Sequence, residues 1–123
     1  MSRHMQRVTG IGGLFFRSQN PVALGQWYND HLGIDLAPAD DSHQPWLQEA
    51  GPTVFSPFPH DTDYFGRDDK QWMINFRVAD LDAMVEQLRA AKIDVSVDPK
   101  PYPNAGLSVH DPEGNPVELW ERT

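Results

Sequence analysis

Apolar residues recur along this chain in two rhythms. From Pro21 to Leu32 they fall at Leu24, Trp27, Tyr28, His31 and Leu32, the spacing of one helical stripe. Asn20 suits an N-cap, Pro21 a first helical residue whose missing donor costs nothing, and Gly33 a left-handed stop. A second stripe, Leu81, Met84, Val85 and Leu88, follows Asp80. Asp82 in its first turn and Arg89 and Lys92 near its end suit the helix dipole. The remaining apolar runs are short and bounded by turn residues. They predict strands over 8–17, 35–37, 46–50, 53–58, 71–78, 94–98, 107–111 and 117–121. Gly51-Pro52 separates two of these, and Asp111-Pro112-Glu113-Gly114-Asn115-Pro116 makes the last pair a hairpin.

The order of elements repeats. Leu14-Phe15-Phe16-Arg17-Ser18-Gln19-Asn20 stands half a chain before Ile74-Asn75-Phe76-Arg77-Val78-Ala79-Asp80. In both, an apolar–x–Phe–Arg strand end leads in three residues to an N-cap. After each helix comes an Ile-Asp-apolar triplet, Ile34-Asp35-Leu36 and Ile93-Asp94-Val95. The expected fold is therefore α+β: two βαβββ modules, 8–58 and 71–121, joined by a charged linker at 59–70. Neither half can bury a sheet alone, so the two are expected to form one cupped mixed sheet with helices outside. Strand parity sends Ile74, Phe76 and Val78 to the helices and Met73, Asn75 and Arg77 into the cup. In the first half it sends Leu14 and Phe16 to the helix, and Gly13, Phe15 and Arg17 to the cup. Glu118 and Trp120 share the cup-facing parity.

Composition narrows the partners. The 123 residues hold 10 basic and 18 acidic side chains, a net charge of −8, which opposes nucleic acid and anionic membrane surfaces and leaves cationic partners open. With no cysteine there is no disulfide, thiolate metal site or thiol nucleophile. Nothing approaches the ~18 consecutive apolar residues of a spanning helix. The polar start, Met1 to Arg7, lacks the apolar core of a signal peptide, so a cytoplasmic protein is expected. No glycine-rich phosphate loop opens a helix, and no nucleophile elbow is present.

The run Asp111-Pro112-Glu113-Gly114-Asn115-Pro116-Val117-Glu118-Leu119-Trp120-Glu121 is similar to the DPxGxxxEL segment that closes the second module in the vicinal oxygen chelate superfamily. That superfamily contains glyoxalase I, extradiol dioxygenases, fosfomycin-modifying enzymes and bleomycin-resistance proteins. Trp27-Tyr28-x-x-His31-Leu32-Gly33 and Phe76-Arg77-Val78-Ala79-Asp80-Leu81-Asp82 add to the resemblance, which covers about residues 8 to 121. In its metal-dependent members four cup-facing side chains hold one divalent ion. Position by position, only Glu118 matches. The other three fall on Met73, on Gly13 (or Gly12), and near Phe55 or Ser56, none of them a good ligand. The resemblance thus implies the fold with the usual metal site lost and no cofactor, a divalent metal staying open.

Candidate ligand-binding residues are Asn75, Arg77, Glu118, Trp120, Phe15, Tyr64 and Trp46. Asn75 and Arg77 suit a ligand carboxylate or carbonyl; Arg77 suits equally a pairing with Glu118. Glu118 is the candidate catalytic residue, as base or remnant ligand, or an anchor for a cation. Phe15, Trp46, Tyr64 and Trp120 suit an aromatic or cationic guest. His31 and His110, and the loop clusters Asp40-Asp41-Ser42-His43 and His60-Asp61-Thr62-Asp63, read first as packing and solvated loops. Two functions follow from the resemblance. One is a bleomycin-resistance-like protein, expected as a homodimer, that binds a small aromatic or cationic molecule. The other is a glyoxalase-type lyase or isomerase, or a dioxygenase-like enzyme, using Glu118.

Overall fold

Helix α1 spans Pro21–Leu32, the stretch its apolar stripe marks out. The Asn20 side chain accepts from the Ala23 amide at 3.2 Å, and Gly33 ends the helix at φ 70°. The computed structural model describes residues 5–38, 42, 44–97 and 107–121. Within it follow β1 (Ile74–Arg77), α2 (Leu81–Ala90), β2 (Ser96–Val97), β3 (Leu107–His110) and β4 (Pro116–Trp120). Asp80 caps α2 by accepting from the Ala83 amide at 3.0 Å. At its far end Lys92 takes φ 65° and the Ile93 amide closes back on the Leu88 carbonyl at 3.0 Å. A lysine here fills the left-handed position that helices usually give to glycine.

The strands form one open, mixed, four-stranded sheet in the order β1-β4-β3-β2. β1 runs parallel to β4, with Asn75 opposite Glu118 and Arg77 opposite Trp120. β3 pairs antiparallel with β4 and β2 antiparallel with β3. Both helices pack on the same face. Leu24 and Tyr28 of α1 and Leu88 of α2 share a buried core with Leu107, Val109, Val117 and Leu119. Leu88, Val117 and Leu119 are fully buried.

Carboxylates of the closing hairpin tie both helices down. Glu113 accepts from the Ser18 hydroxyl at 2.6 Å and the Gln19 amide at 2.8 Å, just ahead of α1. Glu121 accepts from the Leu81 amide at 2.8 Å at the start of α2. The Leu81 amide is a donor that a helix start leaves without a partner, and Glu113 fixes the chain just ahead of the Asn20 cap. Asp111 is 4% exposed. It accepts from the Tyr28 hydroxyl and the Asn115 side-chain amide, both at 2.7 Å, and from the Glu113 and Asn115 backbone amides, both at 2.9 Å. A buried carboxylate persists only when so fully bonded.

The first half departs from its expected form. Segments 8–17, 46–50 and 53–58 carry no strand, and several of their apolar side chains stand in solvent, Phe15 at 94% exposure and Phe55 at 84%. A strand needs a neighbouring edge to satisfy its backbone, and the sheet of the second half does not extend to these segments. α1, from the first half, instead covers the second half's sheet.

Candidate functional site

The alternation of β1, β3 and β4 sorts their side chains between two faces. Val117, Leu119, Leu107 and Val109 go under the helices. Asn75, Arg77, Ser108, Glu118 and Trp120 take the opposite face by parity and register. There the Glu118 carboxylate is held on both oxygens. Asn75 Nδ2 donates to Oε1 at 2.6 Å, and the Tyr64 hydroxyl donates to Oε2.

Tyr64 arrives from a series of turns in residues 60–69. That segment is fixed at several points. Phe58 stacks on Tyr64 at 6.0 Å and lies 5.3 Å from Phe65. Thr62 Oγ1 accepts from the Tyr64 amide at 3.2 Å. Lys70 Nζ donates to the Glu113 carbonyl at 3.1 Å and to Asn115 Oδ1 at 3.2 Å. Gly66 lies so close to His110 that a β-carbon there would come within 3.3 Å of its Nε2. The turns thus bring a phenol to a carboxylate 54 residues away in sequence.

Three of the residues singled out from sequence, Tyr64, Asn75 and Glu118, therefore meet, with Trp120 beside them on β4. Arg77 does not pair with Glu118 in a hydrogen bond. Its two terminal nitrogens donate to the Pro52 carbonyl at 2.6 Å and the Glu49 carbonyl at 2.9 Å. Trp46 packs edge-on against Phe76 at 6.3 Å, and Phe76 also touches Tyr28, a residue of the helix-side core. Phe15 stands in solvent, apart from the Glu118 group. His31 is half-buried against Trp27 at 5.4 Å.

The group around Glu118 holds one carboxylate, with an amide and a phenol that each donate a hydrogen bond to it. Among the described residues no three or more His, Asp or Glu stand close enough to share a metal. The cluster at 60–63 forms a turn, and Asp40, Asp41 and His43 lie outside the described residues. Two open hollows, of about 430 and 750 Å³, lie elsewhere and do not include Glu118. On the Glu118 face Tyr64, Ser108, Glu118 and Trp120 are half-buried and Asn75 is exposed.

Sequence reading missed the Tyr28–Asp111 pair. Burial, and then the hydrogen bond to Asp111, push the Tyr28 phenol well above the ordinary tyrosine range. The signal was there: a tyrosine on an apolar stripe needs a partner for its hydroxyl.

A glyoxalase-like domain model matches residues 13–120. The chain belongs to the glyoxalase-like domain family. The match bears out the resemblance of the sequence to the vicinal oxygen chelate-type, glyoxalase-like proteins. TnmS3, an antibiotic binding protein from Streptomyces sp. CB03234, is similar in structure with a TM-score of 0.62 at 20% identity, over 97% of this chain and 100% of that one. TioX from Micromonospora sp. ML1 has a TM-score of 0.50 at 18% identity, over 86% of this chain and 90% of that one. At these identities the likeness is one of fold. No curated protein matches the chain. No helix among the described residues is long and apolar enough to cross a membrane.

Proposed function

We propose that this glyoxalase-like protein binds a small aromatic or cationic molecule on the Glu118 face, without the superfamily's metal, in the manner of a bleomycin-resistance protein. One observation carries the reading: the Glu118 carboxylate is held on both oxygens, by Tyr64 and Asn75, beside Trp120 on the face away from the helices. A carboxylate oriented in this way keeps lone pairs for a donor on the ligand. The antibiotic-binding description of TnmS3, a protein of like fold, supports the same class. The catalytic alternative, a lyase with Glu118 as base, needs an electrophile for the developing oxyanion. Arg77, which parity puts on that face, has its terminal nitrogens engaged by carbonyls, which favours binding over catalysis.

The protein acts as a homodimer in this reading. A second copy supplies a further wall for the Glu118 face and covers exposed apolar side chains of the first half, among them Val8, Phe15 and Phe55. Titration with bleomycin and, separately, with a planar anthraquinone is followed by tryptophan fluorescence and by sedimentation of the free protein. Saturable quenching by one of them, weakened about tenfold or more in Glu118→Gln, is expected. Sedimentation as a dimer at micromolar concentration is expected too. Binding by neither ligand would refute the ligand class, and a strict monomer would refute the dimer.

A further inference from the structure

Arg77 makes an unusual pair of bonds. A guanidinium on a strand end ordinarily finds a carboxylate or water. Here it donates to two neutral carbonyls of one short turn, Pro52 at 2.6 Å and Glu49 at 2.9 Å. Gly51, between them, lies against the same group: a β-carbon at 51 would come within 3.0 Å of Arg77 Nε and 3.1 Å of its central carbon. The turn therefore closes around the guanidinium, and the absence of a side chain at 51 permits the approach. Among the described residues β1 has no strand neighbour apart from β4, so this turn lies at an edge of the sheet. The register places Arg77 opposite Trp120, two residues along from Asn75 and Glu118.

We propose that Arg77 is a positioning residue: it latches the Glu49–Pro52 turn onto the end of β1, and the latched turn forms the rim of the Glu118 face at its Trp120 end. This rests on the binding reading above for its purpose, though not for its existence. It gives Arg77 a different role from that of an anion receptor. An anion receptor holds its donors free for the ligand, whereas the latch commits both terminal nitrogens to the chain. It also explains how a segment without ladder bonds stays on the sheet. Two charge-assisted hydrogen bonds replace a strand pairing.

The latch has a direct probe, because the Glu49 carbonyl it holds belongs to a bond that glutamyl endopeptidase cuts. Dilute protease is applied to the full-length protein. Cleavage after Glu49 is timed by mass spectrometry, with cleavage after Glu86, inside α2, reporting global unfolding. In Arg77→Ala the Glu49 cut is expected to quicken about tenfold or more while the Glu86 cut does not. Gly51→Ala, which displaces only the end of the Arg77 side chain, is expected to quicken the same cut. Arg77→Lys, with one point charge in place of two prongs, is expected to fall between. An unchanged Glu49 cut in both Arg77→Ala and Gly51→Ala would overturn the latch. So would unchanged cleavage accompanied by lost binding of anthraquinone-2-sulfonate, since Arg77 would then be the anion receptor. If wild type binds no probe yet the Glu49 cut quickens, the latch stands and the binding function fails.

Discussion

Replacing Tyr28 by Phe removes one oxygen from the centre of the fold and nothing else. The phenylalanine ring keeps the edge-on contacts with Trp27 at 5.0 Å and with Phe16 and Phe76, both at 6.4 Å. What is lost is the 2.7 Å bond to the Asp111 carboxylate. Asp111 retains three donors, all within its own turn, so the buried charge is less satisfied but not orphaned. Loss of one hydrogen bond to a buried charged group costs about 2 kcal/mol. In a domain of this size that lowers Tm by roughly 8 °C. Urea unfolding followed by circular dichroism at pH 7 reads the free energy directly. The alkaline limb adds a second, independent signature. Because the folded phenol titrates far above the unfolded one, wild-type stability is complete below pH 10, the ordinary tyrosine value, and falls as pH rises past it. The Tyr28→Phe protein lacks that term, so the gap between the two narrows above pH 10. A loss below about 0.5 kcal/mol at pH 7, or parallel alkaline limbs, would show that the pair does not join α1 to the closing turn.

Glu113 is held below the usual carboxylate range, chiefly by the Ser18 hydroxyl and next by the Gln19 amide. Its contribution is present above the unfolded value of 4.5 and disappears as pH falls through the lower folded value. Acid titration of stability should therefore be shallower in Glu113→Gln than in wild type, and identical acid limbs would count against the cap. Lys92 adopts φ 65° without being glycine, so Lys92→Gly should raise stability by about 0.5–1 kcal/mol in chemical denaturation. A loss of stability there would mean that the lysine side chain, rather than the turn, matters.

Local chemistry made much of this fold legible. α1 was readable to its caps because Asn20, Pro21 and Gly33 act within a single turn of the helix. The hairpin of β3 and β4 was readable because its turn is dense in Asp, Gly, Asn and Pro. Parity placed Asn75 and Glu118 on one face, and the register sets them opposite each other. The strands expected before residue 59 depend on something no local pattern contains, a second edge to pair with. Their apolar and aromatic residues are present in Val8 to Arg17 and in Val54 to Phe58, yet such a run specifies only what could be buried once a partner arrives. The partners of Arg77 were not legible for a related reason. Its charge suggested an anion, whereas its partners are backbone carbonyls that side-chain identity cannot reveal. Tyr64 was legible only as an aromatic near a rim; the turns that carry its hydroxyl to Glu118 are a tertiary outcome.

The ties between α1 and the closing turn span most of the chain, 83 residues from Tyr28 to Asp111 and 95 from Ser18 to Glu113. On a translating ribosome, which adds about 5–20 residues per second, the first helix is made several seconds before its anchors. Until the final hairpin leaves the exit tunnel, Leu24 and Tyr28 have no sheet to cover, and the apolar segments on either side of the helix are equally unprotected. The nascent first half therefore exposes its apolar surface until residue 111 can reach it. A ribosome stalled before residue 111 would hold a chain that has its helices but no means of docking the first of them.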